Sequence, residues 1–109
     1  MEMQSVRIGL LGFGNVGGSL VGLINEQRTD IAALTGIDLT VTRVAVSDLS
    51  KPRPGIGDAV LTDRASDVID ADDVDLVVEL VGAVELAREW ISQALCAGKS
   101  VVTGNKALL

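Results

Sequence analysis

An apolar run over residues 6–11, Val-Arg-Ile-Gly-Leu-Leu, breaks into Gly12-Phe13-Gly14-Asn15-Val16-Gly17 and then into a helical pattern. This G-x-G-x-x-G between a strand pattern and a helix constrains the chain more than any other stretch. Gly12 permits a tight turn off the strand, and Gly14 removes the side chain where a diphosphate must approach the backbone. Gly17 lets the helix pack closely on the strand. The free N–H groups at the helix start face an anion, and the helix dipole adds favourable potential. Glycine-rich turns are common, so the motif alone is a weak signal. Its position between an N-terminal strand and a helix makes a dinucleotide site the expectation, over a merely structural turn.

Composition narrows the partners. The 109 residues suffice for one domain with a real core. Hydrophobic residues make up 48%, yet there is one Phe, one Trp and no Tyr. The core is therefore aliphatic, as suits strands buried on both faces of a parallel sheet. A net charge of −6 argues against nucleic acid, which draws on clustered cations. A dinucleotide stays compatible, because backbone N–H groups can hold its phosphates. The lone cysteine, Cys96, excludes an internal disulfide and suits a reducing compartment. Lying in an apolar helix pattern, it is expected as a small core residue, not a nucleophile. No apolar run reaches the roughly 18 residues of a membrane span, and no signal-peptide layout is present. The expectation is a soluble, cytoplasmic chain with no membrane or nucleic-acid partner. With no histidine, His-based triads and His-containing metal sites are excluded.

Taken in order, Met1–Gln4 reads as a frayed tail and Ser5–Leu11 as strand one. A helix opens near Asn15 with apolar Val16, Leu20, Leu23, Ile24, Ile31 and Leu34, and stops at Gly36, with a candidate break at Thr29-Asp30. Strand two covers Leu39–Val46. Ser47–Ala59 is rich in turn formers and carries Lys51 and Arg53 as its only cations. It reads as a surface loop or, at the end of the second strand, as the contact for an adenosine ribose. Thr62 or Asp63 caps a short helix to Ile69. Asp70, Asp72, Asp73 and Asp75 form a solvated turn, since their spacing matches no calcium loop.

Strand three is Leu76–Val81, and Gly82 ends it at the sheet edge that Gly12 also leaves. A helix over Val84–Ala97 presents Leu86, Trp90, Ile91, Ala94 and Leu95, with Gly98 as C-cap and Lys99 near the negative dipole end. Trp90 reads as core or interface, not as a stacking platform. Strand four is Ser100–Thr103, followed by a turn and a helix stub. The expected fold class is α/β, a Rossmann-type doubly wound parallel sheet with about four strands in the order 3-2-1-4. The ligand crevice then lies between strands one and four, with Gly12–Gly17 on one wall and Thr103–Lys106 on the other.

Several segments resemble a known family. Ile8-Gly9-Leu10-Leu11-Gly12-Phe13-Gly14-Asn15-Val16-Gly17, Arg43-Val44-Ala45-Val46 and Asp48-Leu49-Ser50-Lys51-Pro52-Arg53 are similar to the opening of homoserine dehydrogenase. So are Val77-Val78-Glu79-Leu80-Val81-Gly82 and, most specifically, Val101-Val102-Thr103-Gly104-Asn105-Lys106-Ala107-Leu108-Leu109. The similarity spans nearly all of residues 1–109, in register, and covers only that family's nucleotide-binding domain. The resemblance implies that the family's substrate-binding and dimerising domain lies outside these residues.

The resemblance implies reversible, NAD(P)-dependent interconversion of L-homoserine and L-aspartate 4-semialdehyde, in threonine and methionine biosynthesis. It implies a small amino-acid substrate, a homo-oligomer, and a 109-residue chain that is inactive without its partner domain. Lys106 is implied beside the reacting carbonyl and nicotinamide. Phe13, Asn15 and Val16 would line the diphosphate turn, Val81 and Gly82 the adenosine side, and Thr103, Asn105 and Lys106 the facing wall. An ammonium beside a carbonyl oxygen stabilises the alkoxide-like charge that builds in hydride transfer. A cation in a helix's first turn also opposes the dipole, so a surface lysine there lacks a rationale.

Two departures from the pattern matter. Ser47 stands where many members carry an arginine for the 2′-phosphate of NADP. Asp48 would repel that phosphate or accept a ribose hydroxyl, while Lys51 and Arg53 remain in reach. The cofactor is thus NAD or NADP, leaning to NAD. Gly104 replaces a more usual alanine, loosening the turn before Lys106. Rival readings are a related enzyme such as an aspartate dehydrogenase, against which Asn105-Lys106-Ala107-Leu108 speaks, and a stand-alone nucleotide-sensing module.

Overall fold

A computed structural model describes residues 3–53, 55–81 and 84–104, and the backbone alone at 15, 16 and 84. The elements run β1 (Gln4–Leu11), α1 (Asn15–Thr35), β2 (Ile37–Ala45), β3 (Val60–Thr62), α2 (Ala65–Ile69), β4 (Leu76–Glu79), α3 (Val84–Cys96) and β5 (Ser100–Thr103). The strands form one parallel sheet in the order β3-β2-β1-β4-β5. Side chains alternate across it, as pleating requires. Ile8, Leu10, Val44 and Val78 pack with Val21 and Ile24 of α1 on one face. Leu11, Ala45 and Val77 pack with Val68, Ile69 and Ala94, from α2 and α3, on the other. Each such aliphatic side chain, once buried, stabilises by about 1.5–3 kcal/mol.

The doubly wound parallel sheet holds, but its strand count and assignment are corrected. A fifth strand, Val60–Thr62, pairs with β2 at Arg43–Ala45 and takes the third place. The strand at Leu76–Glu79 is therefore the fourth, and it pairs with β1, not with β2. A three-residue strand inside a turn-rich segment is too short for a period-2 pattern to emerge.

The expected break in α1 is absent, and the helix runs for 21 residues to Gly36, where φ is 74° and the N–H closes on Ala32 O. Thr29 and Asp30 face solvent and neither removes a backbone donor, so nothing interrupts the ladder. Leu23 and Leu34 are exposed, which narrows the buried stripe of this helix.

Neither Thr62 nor Asp63 caps α2. The N-cap residue is Arg64, without a side-chain bond. Thr62 belongs to β3; its hydroxyl donates to Asp67 Oδ2 at 2.5 Å and accepts the Arg64 N–H at 3.2 Å. In α3 the buried positions are Ala87 and Ala94, whereas Leu86 and Leu95 are exposed. Cys96 is also exposed, correcting its expected place in the core. Gly98 turns the chain with φ 80°. The Lys99 ammonium then donates to the carbonyls of Ala71 and Val74 at 2.6 and 2.7 Å, stitching β5 to the α2–β4 connection.

The aspartate turn is more structured than a solvated loop. Asp75 pairs with Arg7 at 3.0 Å and Asp73 with Arg43 at 2.7 Å. No helix among the described residues is long and apolar enough to cross a membrane.

Candidate dinucleotide-binding site

Parallel pairing sends every strand's C-terminal end to one edge, so the segments after β1, β2, β4 and β5 emerge together. At the end of β1, Gly12 has φ +100°, a region L side chains rarely adopt, and its N–H donates to Ala45 O at 2.9 Å. A Cβ on Gly17 would lie 2.9 Å from Gly12 O, so α1 meets the turn only because position 17 lacks one. A Cβ on Gly14 would meet no heavy atom within 4 Å. The crowded and the open glycines thus separate the motif's packing role from its ligand-facing role. α1 begins with no side-chain cap and no acidic residue in its first turn, leaving its leading amides and positive dipole end for an anion.

Above this turn lies a cleft of about 490 Å³. Gly12, Phe13 and Gly14 line its floor, and Ser47, Lys51 and Arg53 line the wall beyond β2. Val81, Leu86 and Trp90 close the other side, and Ala45, Val46, Asp63 and Ala65 complete the lining. A hollow of about 570 Å³ beside Glu85, Arg88 and Ser92 involves a single helix, and nothing converges on it.

Arg53 is the most constrained cation of the cleft. Its guanidinium lies 5.5 Å from the Phe13 ring centroid, within cation–π range. One terminal nitrogen donates to Asp48 O at 2.7 Å. Its Nε is buried and finds no partner among the described residues.

Asp48 stands beside the cleft wall at the end of β2, outside the lining residues. Its Oδ1 accepts from Ser50 N at 2.9 Å and Ser50 Oγ at 2.5 Å. Those two bonds hold its carboxyl below the usual range, the hydroxyl contributing more. The local turn thus engages one oxygen of the carboxylate.

The expected crevice also shifts. The strand beside β1 is β4, so Val81 borders the glycine turn directly, and a Cβ on Gly12 would lie 3.4 Å from the Leu80 carbonyl carbon and from Val81 Cγ1. Thr103 ends β5, one strand further out, and its hydroxyl donates to Glu79. Gly82, Asn105 and Lys106 lie outside the described residues, as do the side chains of Asn15 and Val16. Gly104 leaves β5 with its N–H bonded to Glu79 O at 2.9 Å, and a Cβ there would meet Leu80 Cδ2 at 2.7 Å. An alanine there would displace the end of the Leu80 side chain.

Sequence reasoning missed Asp63 and Glu79. Nothing in the sequence distinguished Asp63 from an ordinary helix cap. Glu79 did carry a signal, as a carboxylate within the apolar run Leu76-Val77-Val78-Glu79-Leu80-Val81. Trp90 both packs against the α2–α3 core and lines the cleft.

Residues 12–109 match the family model described as homoserine dehydrogenase, NAD binding domain. The chain is 49% identical over 106 residues to homoserine dehydrogenase of Corynebacterium glutamicum, covering 97% of this chain and 24% of that protein. It is 40% identical over 108 residues to the Bacillus subtilis enzyme, covering 98% and 25%. A crystal structure of S. aureus homoserine dehydrogenase superposes with a TM-score of 0.90 at 36% identity, covering 99% of this chain and 27% of that one. The chain thus spans about a quarter of the length of these relatives. The family match over residues 12–109, supported by the fold and the cleft, places this chain in the homoserine dehydrogenase NAD-binding domain family.

Proposed function

We infer that this domain binds NAD or NADP across the Gly12–Gly17 turn and supplies the cofactor half of an enzyme that interconverts L-homoserine and L-aspartate 4-semialdehyde. The observation that carries the reading is the glycine turn, open at Gly14 and feeding an uncapped 21-residue helix beneath the cleft. The diphosphate sits on the leading amides of α1, where any side chain on Gly14 would intrude. Val81 supports the turn from the β4 side. Ser47, Lys51 and Arg53 face the adenosine ribose, and Phe13 anchors Arg53.

When bound, the nicotinamide supplies the hydride acceptor or donor. Lys106 is the proposed catalytic residue, its ammonium stabilising negative charge on the substrate oxygen, with Asn105 and Thr103 supporting the segment that carries it. Gly82 and the first-turn residues Asn15 and Val16 complete the proposed cofactor set. The remaining proton-transfer groups and the amino-acid subsite belong to a partner domain, so these 109 residues turn over nothing alone.

The preference between cofactors follows from charge. Ser47 offers a 2′-phosphate a hydroxyl and no charge, and Asp63 repels it across the cleft, whereas Lys51 and Arg53 attract it. The balance leans to NAD. Calorimetric titration with NADH and NADPH tests the reading, with saturable binding of NADH at least as tight as NADPH expected. Ser47→Arg shifts the preference towards NADPH by about tenfold, the scale of one charge-assisted bond. Absence of saturable binding by either nucleotide overturns the proposal. Steady formation of NADH from NAD and L-homoserine by the 109-residue chain overturns the assignment of catalysis to two domains.

A further inference from the structure

Glu79 is fully buried at the end of β4, yet it is a carboxylate. Its two oxygens serve different segments. Oε1 accepts the N–H of Val81 at 2.6 Å, and Oε2 accepts the hydroxyl of Thr103 at 2.6 Å. In the ladder Glu79 stands between Leu11, the residue before the glycine turn, and Thr103, the last residue of β5. The backbone repeats the connection on both sides, with Leu80 N donating to Leu11 O at 3.0 Å and Gly104 N to Glu79 O at 2.9 Å.

A leucine or methionine would fill this space without the desolvation a carboxylate suffers on burial. What an apolar side chain lacks is a pair of acceptors aimed at two loops. We propose that Glu79 is a positioning residue, its carboxylate fixing Val81 under the Gly12 turn and holding the end of β5 at one spacing from it. Val81 and the end of β5 then move as a unit. The consequence for cofactor binding rests on the function proposed above, whereas the mechanical link does not.

The two levels separate in one set of experiments on the 109-residue chain. Amide hydrogen exchange, followed by NMR without nucleotide, reads the link itself. Thr103→Val removes the hydroxyl on β5, and exchange at the Val81 amide, across the sheet in the β4 loop, should rise about fivefold or more. Glu79→Leu should raise it further. Glu79→Gln, whose carbonyl still accepts from Val81 and whose amide can donate to the Thr103 hydroxyl, should restore wild-type protection. Unchanged exchange at Val81 in Thr103→Val, or failure of Glu79→Gln to rescue, overturns the proposal. For binding, Glu79→Leu should weaken NADH about tenfold by calorimetry while Glu79→Gln stays within about twofold. A wild-type chain that shows the coupled exchange but binds no NADH would sink the cofactor reading and leave the link standing.

Discussion

At Gly9 and Gly14 the same residue type meets opposite surroundings. A Cβ on Gly9 would lie 2.5 Å from Val68 Cγ1 and 2.8 Å from Val74 Cγ1, both in the packed core. Gly9→Ala should therefore destabilise by about 1–3 kcal/mol, read from the midpoint of urea unfolding. Gly14→Ala meets open space and should cost only ~0.5 kcal/mol as a poorer N-cap. Its effect belongs to the ligand, with NADH affinity falling by about tenfold in calorimetry because the methyl group occupies the diphosphate approach. Equal losses of stability at the two positions would contradict this division.

Charge enters at Asp75, whose carboxyl is held below its usual range mainly by the Arg7 side chain and then by the Arg7 N–H. A lowered native value means the unfolded chain binds the proton first. The stabilisation is present above about pH 4 and is lost as pH falls through the native value. Asp75→Asn should lower the thermal midpoint at pH 7 and flatten its decline below pH 4, a comparison that scanning calorimetry makes directly.

Among the elements, the Lys99 connection is a load shared between α3, β5 and the segment after α2. Lys99→Met keeps the aliphatic stem but removes two charge-assisted bonds to carbonyls, and should cost about 1.5–3 kcal/mol in urea unfolding. The elements also show where the sequence was legible. Apolar runs announced β1 and β4, β-branched alternation announced β2, a short Val-Val pair after a helix stop announced β5, and glycines after helical patterns marked the ends of α1 and α3. Fold class and glycine turn followed from local pattern, because strand burial and turn geometry are local demands. Val60–Thr62 escaped because its strand identity comes from pairing with β2, a tertiary fact. The local bonds between Asp48 and Ser50 escaped because nothing in a motif reading weighs a side chain against its own turn. Glu79 needed both β4 and β5 before its two acceptors had meaning.

Over the whole molecule, two sheet edges present apolar side chains. Among the described residues β5 pairs on one side only, with Val102 52% exposed, and β3 ends the other side with Val60 49% exposed. Unpaired parallel edges of this kind promote association. We expect the chain's mass by light scattering to rise with concentration and Val102→Lys to reduce that rise; a monomeric mass for the unaltered chain at every concentration would contradict it. The interior offers another handle. With no tyrosine and a single tryptophan, the chain's near-ultraviolet emission comes almost wholly from Trp90, which borders the cleft. The domain therefore carries its own optical gauge. A reduced nicotinamide absorbs where indole emits, so filling the cleft should dim Trp90 in proportion to occupancy, without any added label.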